Sequence, residues 1–278
     1  MAEFQILPEA CIASIISHTT PIDACRLSLV SKTFRSAADS DTVWNKFLQS
    51  DTGFMDHVIK HALTPANIRT KKALYMFLCD GPTIIHHRLK VFLLFTIYFY
   101  ANYYFLKMES FEIQSFQLVR KNAKRIFMLS AAYLNSFWSF PQEYVEWTYT
   151  LPGSRFLEVA KLNVCKLQIH GEINMYSLSP NTWYEVYVVF KKCGVWVVEQ
   201  SRVSFLVSVQ VGYNVSGDKN MEWQRPSVRS DGWLETKMGK FFNLSKTYDN
   251  VYLHVLRIIG LNFSRRLYLE GIEVRPMN

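Results

Sequence analysis

The chain has 278 residues, of which 49% are hydrophobic and 19% charged, which excludes a disordered chain and leaves ample material for a buried core. Its formal net charge is +8, yet lysines and arginines are scattered without a run of five, so no nucleic-acid partner is expected. The cysteines Cys11, Cys25, Cys79, Cys165 and Cys193 are odd in number and lack C-x-x-C spacing, so they read as reduced thiols, not zinc ligands.

The N-terminus MAEFQILPEA has no basic n-region and no apolar h-region, so a cytoplasmic or nuclear location is expected. Residues 7–48 read as three short helices. Ile12, Ile15 and Ile16 recur at helical spacing after Pro8 and Glu9. A second helix opens at Thr20-Pro21-Ile22-Asp23, a cap followed by a proline and a carboxylate, and carries Leu27, Val30 and Phe34 on one face. A third starts at Ser40 or Asp41 and groups Val43, Trp44, Phe47 and Leu48. About 40 residues cannot bury that much apolar surface alone, so part of it should meet a partner.

This order of Leu7-Pro8, a helix ending in Leu29-Val30-Ser31-Lys32-Thr33-Phe34-Arg35, and a closing Trp44 resembles the F-box. The resemblance implies docking on the Skp-type adaptor of a cullin-RING ubiquitin ligase. It places Leu7, Pro8, Ile12, Ile15, Ile16, Leu27, Val30, Phe34 and Trp44 on the adaptor-binding pattern, within a module spanning residues 1–48. An ordinary helical bundle with an apolar core explains the same periodicity.

Residues 49–82 continue as a helical spacer, with Ala73, Leu74, Phe77 and Leu78 on one face, stopped by Asp80-Gly81-Pro82. Residues 83–114 form an atypical apolar insertion around VFLLFTIYFYANYYFL at 91–106, which lacks charge. That run is short of the roughly 20 residues of a spanning helix, so membrane attachment is not the expected role. A spanning helix, a buried or interfacial segment, and a stretch foreign to the folded module stay open. Lys121, Lys124 and Arg125 form the densest basic cluster and read as a solvated turn.

From about Arg125 the period becomes two. Tyr184, Val186, Val188 and Phe190 alternate with Trp183, Glu185, Tyr187 and Val189, and Val203 to Val211 alternates likewise. Further strands are expected at Ile126–Ser130, Val164–Ile173, Gly194–Glu199, Trp233–Met238, Val251–Ile259 and Leu267–Val274, divided by turns such as Leu151-Pro152-Gly153-Ser154 and Ser230-Asp231-Gly232. Many short strands without crossover helices mean an antiparallel, jelly-roll-like β-sandwich, so the fold class is α+β multidomain.

Catalytic motifs are missing: there is no H-E-x-x-H, no G-x-S-x-G and no Gly-rich phosphate loop, so neither an enzyme nor a cofactor nor a metal is expected. His86-His87 reads as a solvated loop pair. Glu270 and Glu273 tempt as a glycosidase pair, but side chains three apart on a strand should face opposite sides. Trp138, Tyr144 and Trp147, near Pro141, Gln142 and Glu143, suit sugar recognition, in which rings stack on a pyranose and carboxylates bind hydroxyls; filling of the sandwich core is the other reading.

The segments Met128–Leu134, Tyr144–Trp147, Ser154–Leu162, Tyr187–Phe190, Arg229-Ser-Asp-Gly-Trp-Leu-Glu235 and Gly271–Pro276 resemble the phloem protein 2 lectin domain, over residues 115–278. The resemblance implies recognition of N-acetylglucosamine oligomers or glycoproteins, with Trp138, Tyr144, Trp147 and Glu235 as carbohydrate-binding candidates. The expected role is a ligase substrate receptor with a lectin-like domain, the alternative a lectin without ligase partners. The chain departs from the family pattern at Val145, where a tryptophan is usual, and at Lys240, where a glutamate is usual.

Overall fold

The computed structural model describes residues 7–48, 54–61, 68–87, 112–135, 145–162, 168–194, 203–212, 226–244, 250–259 and 265–277. Its N-terminal part holds helices α1 (Glu9–Ser17), α2 (Pro21–Leu27), α3 (Lys32–Asp39), α4 (Asp41–Leu48), α5 (Phe54–His61) and α6 (Lys71–Asp80). Thr20 caps α2, accepting from the Asp23 amide at 3.2 Å and donating its hydroxyl to the Asp23 carboxylate at 2.7 Å, while Pro21 occupies the first turn.

The single helix expected from Thr20 onward is two. Ser31 adopts an extended backbone and accepts from the Phe34 amide at 3.2 Å, starting α3 afresh after the turn Ser28–Val30. Capping outcompetes helix continuation at this serine. Leu27 and Phe34 still pack inward, from different helices, which is why the periodicity looked continuous.

Trp44 on α4 is buried, and its indole N–H donates to the Ala38 carbonyl at 2.7 Å. Its ring lies 5.0 Å from that of Tyr75 on α6. Thr70 caps α6, and the Lys71 amide donates to Asp41 at 3.1 Å, so α6 is fastened to α4 at its start as well as through its rings.

Strands β1 (Thr83–His87), β2 (Glu112–Leu118) and β3 (Arg125–Ser130) follow, then a short helix α7 (Ala131–Asn135). Next come β4 (Val145–Tyr149), β5 (Glu158–Leu162), β6 (Ile169–Asn174), β7 (Thr182–Gly194), β8 (Ser204–Val211), β9 (Ser227–Val228), β10 (Leu234–Asn243), β11 (Asn250–Ile259) and β12 (Arg265–Pro276). Among the described residues they form two antiparallel sheets, β1-β2-β3-β12-β7-β10-β9 with β5 and β4 joined to β12, and β6-β11-β8. The expected strand at Gly194–Glu199 falls outside the described residues beyond Gly194, and β6 starts at Ile169.

The sheets face each other across a core in which Tyr184, Val186, Val188 and Phe190 of β7 meet residues of β8 and β11. The rings of Phe190 and Phe205 lie 4.8 Å apart. Period-two burial on β7 matches the alternation in its sequence.

Two boundaries move. Thr83–His87 and Glu112–Gln114, both set apart above as insertion, are strands of the larger sheet, paired from Thr83 with Phe116 to His87 with Glu112. The apolar run 91–106 lies outside the described residues. No helix among the described residues is long and apolar enough to cross a membrane. Arg125, expected on a solvated turn, is buried, and its guanidinium donates to the Tyr176 carbonyl at 3.1 Å.

On the outer face of the larger sheet, Met128, Phe156, Val159, Val189 and Trp233 make a second, smaller core. The Trp233 indole N–H donates to the Gly153 carbonyl at 2.8 Å, and Gly153 sits at φ +80°, a conformation that glycine reaches without steric cost. The turn at Pro152-Gly153 thereby closes the 151–157 loop over one end of this face. At the other end Trp183 is half exposed.

Candidate functional site

The helical residues expected to bind an adaptor divide by burial. Ile12, Ile16 and Trp44 are buried, and Leu27 and Phe34 are half-buried against the core, so these five pack the module from within. Periodicity cannot distinguish a face that meets its own core from one that meets a partner. Leu7, Pro8, Ile15 and Val30 are exposed, Ile15 by 53% and Val30 by 60%. The structure adds Ile22, and Leu29 at 85% exposure, both missed because Leu29 falls in the turn that splits the expected helix. Among the described residues, these apolar side chains on α1, α2 and the following turn are left open to solvent.

In the β domain, Trp138 and Tyr144 lie outside the described residues. Trp147 is half-buried on β4, on the same side as buried Val145, and packs against the main core. A larger ring at Val145 has no open surface to occupy. Lys240 is exposed, with its ammonium 5.5 Å from the centre of the Trp183 ring.

Glu235 belongs to a network that the sequence did not reveal. Its carboxylate binds Arg229 at 3.2 Å and Arg275 at 2.7 Å. Arg229 and Arg275 also reach Glu273, at 3.2 and 3.4 Å, and Arg155 reaches it at 2.6 Å. Glu270 accepts from the Arg155 amide at 2.7 Å and the Ser154 hydroxyl at 3.3 Å. Glu270 and Glu273 therefore both meet the 151–157 loop, contrary to the alternation expected of a regular strand. The reason is an irregularity in register between Leu269 and Gly271, which inserts Glu270 as an extra residue opposite β7. Glycine inside a strand was the readable sign of it.

Both carboxyl groups are almost fully buried, and their surroundings drive them apart. Burial raises the Glu270 carboxyl above the ordinary value, and the amide and charge of Arg155 offset only part of that. Burial pushes Glu273 the same way, but Arg155, Arg229 and Arg275 together outweigh it and hold Glu273 below the ordinary value. Glu270 Oε2 is buried with no hydrogen-bond partner among the described residues. The separation resembles an acid and base pair, yet Glu273 is ringed by three arginines and Glu270 is held by the Arg155 amide and the Ser154 hydroxyl, which makes this a clamp fastening loop to sheet.

Residues 4–46 match the family model F-box domain, and residues 124–276 match the family model Phloem protein 2. The chain is similar to putative F-box protein PP2-B2 of Arabidopsis thaliana, 35% identical over 98% of this chain and 83% of that protein. It is also similar to F-box protein PP2-B10 of the same plant, 34% identical over 98% of this chain and 94% of the relative. Two family matches that follow each other along the sequence, with relatives similar over 98% of this chain, place it in the family of F-box proteins that carry a phloem protein 2 domain.

Proposed function

We propose that the chain is the substrate receptor of a Skp-cullin-F-box ubiquitin ligase, and that its lectin-like sandwich recognises N-acetylglucosamine-containing glycans or the glycoproteins that bear them. The observation that carries this reading is the uncovered apolar surface of Leu7, Ile15, Ile22, Leu29 and Val30, fixed to the β domain through α6. An adaptor bound on one side and a target held on the other keep a defined relation only if the joint between them is packed. Among the described residues Cys11, Cys25 and Cys79 form no disulfide, which fits the reducing cytoplasm or nucleus where such ligases act.

The test pairs an adaptor pulldown with a glycan array. The full chain should retain a Skp-type adaptor and lose it on Leu7→Ala with Pro8→Ala, and should bind N-acetylglucosamine oligomers or N-glycan cores. Glycan binding without any adaptor would point to a free-standing lectin and overturn the ligase role.

A further inference from the structure

Beside the clamp, and sharing Arg275 with it, the larger sheet's outer face gathers an exposed ring and paired polar groups along β7. Trp183, Glu185 and Tyr187 stand in a row along β7, all on the side facing away from the core. Trp183 is 49% exposed, its ring 5.4 Å from that of Phe242 on the neighbouring strand. The Arg275 guanidinium lies 3.8 Å above the Tyr187 ring. Val119, Ile126 and Pro276 complete the walls of an open pocket of about 420 Å³ around Glu185, Tyr187 and Arg275.

We propose that this row is a saccharide-binding platform, with Trp183 stacking on one sugar ring and Glu185, Tyr187 and Arg275 receiving the hydroxyl and acetamido groups of another. The proposal rests on the glycan reading given above.

Three features select that ligand class. First, the pocket's charges are already balanced within the protein. Glu185 takes Lys237 at 2.5 Å and the Tyr187 hydroxyl at 2.7 Å, and Arg275 takes Glu235 and Glu273. An anionic ligand would have to compete with Glu185 or Glu235 for these cations, and a cationic one would meet Arg275, Lys237 and Lys240, so a neutral ligand fits best. Second, Glu185 and Arg275 line the same pocket, offering an acceptor and a donor side by side. Vicinal hydroxyls can use both at once, whereas a purely apolar ligand would strand them. Third, within a mostly polar pocket Val119, Ile126 and Pro276 offer an apolar patch for the methyl of an N-acetyl group, and the half-open indole suits a pyranose face. Trp183 and Tyr187 are four residues apart, roughly 13 Å along a strand, a span for an oligosaccharide and not for a lone ring.

The experiment uses the full chain and chitotriose, after the glycan array has shown whether the unaltered protein binds N-acetylglucosamine oligomers at all. Trp183→Ala changes a half-exposed side chain, and Tyr187→Phe keeps the ring while removing its hydroxyl, so both should fold, which an unchanged thermal melt verifies. Titration calorimetry should show affinity falling roughly fivefold to tenfold for Trp183→Ala, the loss of one stacking ring, and a smaller fall for Tyr187→Phe. If both variants bind chitotriose like the unaltered protein while Trp138→Ala does not, the platform is wrong and the glycan reading survives. If the unaltered chain binds no glycan on the array, both fall together.

Discussion

Trp44 of α4 and Tyr75 of α6 pack ring against ring at 5.0 Å, and the Tyr75 hydroxyl reaches past α6 to donate to the Arg120 carbonyl at 3.1 Å, in the turn joining β2 to β3. One side chain thus touches both halves of the protein. Gln117 adds a bond from β2 to the Cys79 carbonyl at 3.2 Å, and Arg120 pairs with Asp80. Tyr75→Phe keeps the ring contact but removes the hydroxyl, and should cost about 0.5–1.5 kcal/mol. Tyr75→Ala also empties a buried site and should cost about 3–5 kcal/mol. Denaturant unfolding checks both, and equal stability of all three proteins would show that α6 is not the joint.

The larger sheet should not need the chain between its first two strands. His87 and Glu112 are directly paired neighbours, so a short Asn-Gly turn can close β1 onto β2 in place of residues 88–111. Such a protein should keep cooperative unfolding and become more soluble, because an uncharged aromatic run is removed. A broad, non-cooperative melt would show instead that the replaced stretch is packed against the sandwich.

The clamp carboxylates should respond to pH in opposite senses. Glu273 is held below its unfolded value near 4.5, so its stabilisation is present above that value and is lost as pH falls through the lower folded one. Glu270 is raised, so its contribution is present below 4.5 and is lost as pH rises through its folded value. At pH 7, Glu273→Gln leaves three arginines short of a counter-charge and should destabilise by about 3–5 kcal/mol. Glu270→Gln supplies a neutral isostere and should be neutral or stabilising there, with the advantage vanishing below pH 4.5. Unfolding curves across that range check the crossover.

Much of this architecture was legible because its physics is local. The alternation in β7, the cap at Thr20 and the stop at Gly81 each lie within a few residues. What escaped were features set by distant partners. Leu27 and Phe34 look like one helix face until Ser31 restarts the helix, and Arg125 looks solvated until the Tyr176 carbonyl arrives from 51 residues away. Glu270 and Glu273 looked opposed because one inserted residue reverses strand parity. Trp147 and Glu235 turned out to be held by core packing and by arginines, contacts that no reading of single segments can foresee.

The same insertion makes Gly271 a point of no tolerance. A Cβ there would stand 1.9 Å from the Leu129 carbonyl oxygen on β3, a backbone atom that cannot yield without breaking the ladder. Gly271→Ala should therefore cost about 3 kcal/mol or more, at the upper end of overpacking. Gly171→Ala meets the end of the Leu134 side chain at 2.7 Å, which can turn aside, and should cost less. Equal thermal shifts for the two would contradict the register of β12 against β3.

The most direct test of the receptor role is titration of a purified Skp-type adaptor into the full chain, with Leu29→Asp and Val30→Asp as surface variants. Both side chains are open, at 85% and 60%, so these changes should leave the melting temperature within a degree or two of the original, as surface substitutions do. The unaltered chain should form a one-to-one complex, and each variant should weaken it at least tenfold, by setting a charge in an apolar interface. Undiminished adaptor binding by both variants, or none by the unaltered chain, would contradict the claim that this surface docks a ligase.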